Sequence, residues 1–186
     1  MTMTQAGPVA GYVAGTWTID PVHSEVGFSV RHMMVSKVRG RFTKFSGELV
    51  TSDDVLGSAV TAEIDLSSID TGAEQRDAHL RSPDFFDTDN HPLMTYKSTG
   101  IRADGDGYVL DGELTLKGIT KSVSLTLEVN GFGPDAYGGT RAGFTASGEI
   151  NRQDFGVTWN AAMETGGVVV ADKVAIHLEI EAVLQA

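Results

Sequence analysis

Cysteine is absent from the 186 residues, which excludes disulfides, thiolate nucleophiles and thiolate metal ligands and leaves no trace of a redox compartment. Positive charge is scarce: 14 Lys and Arg against 25 Asp and Glu give a formal net charge of -11. Such a chain as a whole repels a phosphate backbone, so nucleic-acid binding is not expected, and anionic membrane surfaces are disfavoured for the same reason. No apolar run approaches the ~20 residues a membrane-spanning helix needs, so a non-spanning protein is expected. Residues 1–15 hold neither Lys nor Arg nor a continuous apolar run, and do not read as a secretory signal. They are expected to form a disordered tail ahead of one barrel domain over 16–186, in a cytoplasmic protein.

Proline is sparse at 5, whereas glycine is plentiful at 22, a balance that suits strands joined by tight turns. The strongest pattern is alternation with period two. Val26, Phe28 and Val30 alternate with polar or small neighbours, and so do Val60, Ala62, Ile64 and Leu66. Leu110, Leu114 and Leu116 share a face, as do Val123, Leu125, Leu127 and Val129, then Ala142, Phe144, Ala146 and Ile150, then Val174, Ile176, Leu178 and Ile180. Weaker segments at 42–50 and 93–102 fill the gaps. Asp104-Gly105-Asp106-Gly107 is expected to turn a hairpin, and Asn130-Gly131 to begin another connection. Residues 73–81 lack alternation and carry helix formers, which predicts one short helix. About eight antiparallel strands with one apolar face each bury that face best by closing, so an all-β, eight-stranded barrel is expected. Inward Gly47, Ala62, Gly112, Ala142, Ala146 and Gly148 either leave room for a guest or fit the taper of a filled barrel; the pattern alone leaves both open.

Few residues suggest chemistry. Asp20, His23 and Ser24 contain the ingredients of a hydrolase triad but lie within five residues and lack a nucleophile elbow; a turn with capping side chains is the expectation. None of the histidines His23, His32, His79, His91 and His177 forms a close ligand pair, so no specific metal is expected. Residues 87–98 open like a calcium loop but carry Pro92 and Ser98 where such a loop needs Gly and Glu. Gly131-Phe132-Gly133 is expected in a hairpin loop rather than a dinucleotide site. Arg31, Lys37, Arg39, Arg41 and Lys44 form an acid-free basic run, readable either as a solvated edge strand or as a positive patch for an anionic group.

Three stretches taken together resemble the YceI-like family. They are Trp17-Thr18-Ile19-Asp20-Pro21-Val22-His23-Ser24 continuing to His32, Val38-Arg39-Gly40-Arg41-Phe42, and the set Arg76-Asp77-Ala78-His79-Leu80, Phe85-Phe86-Asp87, His91-Pro92. Gly112-Glu113-Leu114-Thr115-Leu116-Lys117-Gly118 adds to the match, which runs from about Trp17 to Leu184. The resemblance implies a lipocalin-like barrel that binds a polyisoprenoid, such as a polyprenyl phosphate or an isoprenoid quinone, in an apolar channel. It implies no catalysis and no cofactor other than the lipid. Many members are periplasmic.

On that basis strand parity assigns Phe28, Val30, Phe45, Leu66 and Met94 to the tunnel lining, together with Tyr96, Leu114, Leu125, Phe144, Ala146 and Ile176. Phe85 and Phe86 either gate the mouth or plug the barrel, and Arg31 and His32 are expected near a head group. An enzyme acting on the lipid through His23 or His32, and an interaction protein with a filled barrel, are the rival readings; a homodimer is one expected assembly.

Overall fold

The computed structural model describes residues 9–163 and 167–185. Its strands are β1 (Gly15–Ile19), β2 (Glu25–His32), β3 (Ser36–Phe42), β4 (Phe45–Thr51), β5 (Ala59–Asp65), β6 (Ile69–Asp70), β7 (Leu93–Asp104), β8 (Gly107–Leu116), β9 (Ile119–Pro134), β10 (Thr140–Asn151) and β11 (Val170–Leu184). One helix, α1 (Glu74–Arg81), follows β6, where a short helix was expected. Strands β1, β4, β5, β7, β8, β9, β10 and β11 are antiparallel neighbours in that order, and β11 pairs back onto β1 to close an eight-stranded barrel.

The remaining strands extend that wall. The first half of β11 pairs with β2 through Ile176 and Phe28, whereas its end pairs with β1 through Leu184 and Trp17. So β1 and β2 are halves of one bent strand, and β3 with β4 and β5 with β6 repeat the device. Polar side chains make the breaks. Asp20 accepts from the Val22 N–H at 3.0 Å, Asp65 accepts from the Ser67 N–H at 3.0 Å, and the Ser68 hydroxyl accepts from the Lys44 N–H at 3.0 Å. Each carboxylate or hydroxyl satisfies a backbone donor that the ladder would otherwise claim.

Helix α1 brings Arg76, His79 and Leu80 to the barrel interior. Asp77 is buried and accepts from the Thr71 N–H at 2.9 Å, which fixes the turn before the helix. The Asp104–Gly107 hairpin forms as expected. Asn130-Gly131 does not start a connection: β9 continues to Pro134, and Asn130 is the extra residue of a bulge opposite Gly143 and Phe144. Gly131-Phe132-Gly133 is therefore strand. The turn comes later, where the Asp135 carboxylate accepts from the N–H groups of Tyr137 and Gly139, each at 2.8 Å. From Val9 onward the segment expected as tail packs on the barrel: the Tyr12 hydroxyl donates to the Ser52 carbonyl at 2.6 Å, and Gly15 opens β1. Residues 1–8 lie outside the described part.

Candidate functional site: an apolar tunnel with one cationic end

The barrel encloses a cavity of about 440 Å³ that reaches from Tyr12, Val55 and Phe132 at one end to His79, Arg152 and Trp159 at the other. Phe28, Val30, Phe45, Met94, Tyr96 and Leu114 line it, as do Leu125, Phe144, Ala146 and Ile176. Phe85, Phe86 and His32 line it too, at the Arg152 end, and Arg31 touches its rim from the outward parity of β2. Leu66 does not. It is fully buried, but the chain leaves the barrel wall one residue earlier, at the Asp65-capped turn, so the period-two parity of β5 no longer applies.

The inward glycines are already occupied. A Cβ on Gly112 would meet the Tyr96 ring at 2.4 Å, and one on Gly40 would meet the Phe28 ring at 2.4 Å. These glycines seat neighbouring aromatic rings within the wall, while the free volume lies along the barrel interior. Tyr96 donates to the Val123 carbonyl at 2.9 Å, and burial pushes its phenol up to about 12, so it stays a neutral donor. Among the described residues no buried side-chain polar atom lacks a partner. The middle of the tunnel thus offers contact but no unmet polar demand, which suits a hydrocarbon.

Polarity collects at one end, and much of it escaped the sequence reading. Arg152, 4% exposed, donates to the carbonyls of Ala171, Val157, Trp159 and Val170 at 2.8–3.2 Å. Burial lowers its guanidinium pKa, opposed by Asp172 at 3.6 Å. Arg76 lines the same end and donates to the Thr71 hydroxyl and carbonyl, both at 2.7 Å. His79 packs edge-on against Phe85 at 5.0 Å and Trp159 at 4.8 Å, and its Nε2 lies 2.8 Å from Asp84. Buried Phe85 sits in that stack, while Phe86 packs on Phe42 at 6.2 Å. Arg76 and His79 stood in the helix motif and could have been placed by its proximity to the barrel end. Trp159 lies in an irregular segment that carries no periodic signal.

Ser24 does not join His23. Its hydroxyl donates to the Glu181 carbonyl and accepts the Glu181 N–H at 2.9 Å, bridging the strand break as a backbone clamp. Asp20, His23 and Glu181 cluster on the outside, but Arg141 bridges Asp20 and Glu181 at 2.8 Å each and reaches Asp135 at 3.0 Å. A cation already neutralises the carboxylates a metal would need. The Arg141 guanidinium, then the His23 imidazole, hold the Asp20 carboxyl well below the usual range. The Gly139 and Tyr137 N–H groups, with Arg141 adding, lower that of Asp135.

A closed antiparallel barrel around an apolar tunnel defines the class of lipocalin-like, single-ligand barrels. Within it the chain belongs to the YceI-like family, whose domain model matches residues 17–182. A Staphylococcus epidermidis protein named UPF0312 is 39% identical over 167 residues, 89% of this chain and 95% of the relative. Protein YceI of Escherichia coli is 38% identical over 148 residues, 78% of each chain. Among solved structures, Burkholderia cenocepacia BcnA superposes with a TM-score of 0.77 at 25% identity, covering 88% of this chain and 98% of that one. A Saccharophagus degradans domain described as polyisoprenoid-binding has the same fold, at TM-score 0.67 and 17% identity, over 91% of this chain and 98% of that one.

Proposed function

We propose that this protein binds, without transforming it, one long apolar isoprenoid lipid such as a polyprenyl phosphate or an isoprenoid quinone. The tail runs along the barrel, and the polar head lies among Arg31, His32, Arg76 and His79. The observation that carries the reading is the distribution of polarity: a through-running apolar lining with its cations and imidazoles gathered at one end. Removing apolar surface from water is worth about 25 cal/mol per Å², so a prenyl tail supplies affinity by length while the polar end sets its direction. The fold shared with the polyisoprenoid-binding domain supports this, and the Ser24 clamp supports binding over hydrolysis.

Organic extraction of the purified protein followed by mass spectrometry tests it, with a prenyl lipid in near-stoichiometric amount expected. Ala146→Trp supplies the control. Ala146 pairs with Leu127 and Leu178 on the cavity face, so the indole should fill ligand space and abolish binding of a prenyl probe. An open tunnel absorbs the ring with little loss of apo stability, whereas a filled interior would lose about 1–3 kcal/mol by overpacking. Extraction without a lipid, joined to undiminished probe binding by Ala146→Trp, would refute the reading.

A further inference from the structure

We propose that the tip of the β2–β3 hairpin docks this protein onto an anionic lipid membrane. The tip is Met33-Met34-Val35, residues 43%, 65% and 85% exposed, beside Val168 at 41%. Three consecutive exposed apolar residues do not serve solubility. The turn they form is closed by the Val35 N–H donating to the His32 carbonyl at 3.3 Å, with Met33 at φ 52° and Met34 at φ 60°. Positive φ at both central positions is the requirement that Asn-Gly normally meets, because a β-carbon is crowded there. Two methionines at these positions serve turn stability no better than solubility, and strain of this kind accompanies function.

The flanks are cationic. Arg31 stands directly opposite Lys37, Arg39 opposite Ser29 and Arg41 opposite Gly27, so the four cations share one outward face. Like charges directly opposite each other disfavour the sheet. Arg41 reaches Asp70 at 3.8 Å, whereas Arg31, Lys37 and Arg39 have no ion-pair partner among the described residues. Asp172, on β11 beyond Val170, is turned to Arg152 and Gln153. The formal charge of -11 resolves into +5 over residues 31–44 and -16 over the rest. Ionic screening over about 8–10 Å lets a bilayer feel the tip before the remainder. Apolar side chains that enter the acyl boundary, flanked by cations on anionic head groups, fit such a surface.

Edge protection accounts for part of the pattern, since β3 pairs with β6 only through Arg41 and Phe42 and leaves 36–40 as an edge. It explains Lys37 and Arg39 but not the methionines. His32 lines the tunnel from the inward face of β2 and Arg31 touches its rim, so docking sets the cationic mouth against the bilayer, where a lipid ligand must enter. That consequence rests on the proposed function; the docking does not.

Flotation of the full chain with isoprenoid-free vesicles tests the proposal. Vesicles of phosphatidylglycerol and phosphatidylcholine in equal parts should carry the wild type at low salt, and phosphatidylcholine alone should carry far less. The double variant Met33→Asn, Met34→Gly should lose at least about tenfold in vesicle affinity and melt no lower than wild type, so that unfolding does not explain the loss. Lys37→Gln should lose about fivefold. Equal flotation on both vesicle types, or undiminished binding by the double variant, would overturn the proposal. Self-association of the wild type that the double variant abolishes, without flotation, would instead make the tip an interface between copies. Because the vesicles hold no isoprenoid, failure here leaves the tunnel reading intact, and an empty tunnel leaves the docking result standing.

Discussion

The two ends of the barrel are held in different ways. At the Tyr12 end, Phe132 packs edge-on against Tyr12 at 5.3 Å, Trp17 at 5.5 Å and Phe144 at 5.9 Å, and the fully buried Trp17 donates to the Thr51 hydroxyl at 2.9 Å. Aromatic contact packs that end, and its charged groups, Arg141 with Asp20, Asp135 and Glu181, stay on the outer surface. At the Arg152 end the guanidinium is inside, held by main-chain carbonyls, with Arg76, His79, Arg31 and His32 around the same mouth. The contrast teaches that one apolar strand pattern gives a tunnel with a direction. Packing lines one end with aromatic rings, and a few cations, most of them outside the periodic segments, gather at the other.

The largest expected effect that sharpens this contrast is at Arg152. Arg152→Leu leaves the buried carbonyl of Val157 and the partly buried one of Trp159 without their donor, while Val170 keeps the Asn160 amide at 2.7 Å. It should cost at least about 3 kcal/mol in a denaturant melt, because bonds to a charged group count more than neutral ones. A loss below that would mean the cationic end is not held by its guanidinium.

Next comes head-group discrimination. Arg76→Gln should weaken a polyprenyl phosphate probe by about tenfold while leaving an uncharged polyprenol unchanged. Tyr12→Phe, at the opposite end, should leave the ratio of the two affinities where it was. Equal weakening of both probes by Arg76→Gln would place the head elsewhere.

The smallest effect belongs to the outer cluster at the Tyr12 end. The carboxyls of Asp20 and Asp135 titrate below their unfolded values, so their contribution to stability is complete above about pH 4 and fades as the pH falls through the folded values. Arg141→Leu removes the first cause for Asp20, and its melting temperature should fall less steeply than that of wild type below that pH. Parallel acid curves for the two proteins would show that Arg141 is not what lowers Asp20.

Strands β8 to β11 were legible because their alternation is continuous, and each of Leu110, Leu114, Leu125, Phe144 and Ala146 is buried on the expected face. The first half was less so. Period-two parity carried Leu66 into the tunnel, but a capped turn had already taken it out; local side-chain-to-backbone bonds override alternation without changing it. Asn130-Gly131 has a turn composition, yet a bulge uses the same residues because both need a backbone that leaves the ladder. Arg152 and Trp159 were invisible as site residues. Their partners are main-chain atoms and rings from distant segments, so nothing in their own neighbourhood marks them.

The sequence by itself determined a closed barrel with an apolar interior, since period-two alternation with one greasy face admits few other burials, and it excluded thiol chemistry outright. Only the tertiary structure decided whether that interior was full. Gly112 and Gly148 read equally well as space for a guest, and the fold gives them to Tyr96 and Leu125 while keeping a cavity of about 440 Å³ beyond them. Free volume is the difference between an enclosed space and everything that reaches into it from all sides, and composition along one strand holds no record of what the facing strands contribute.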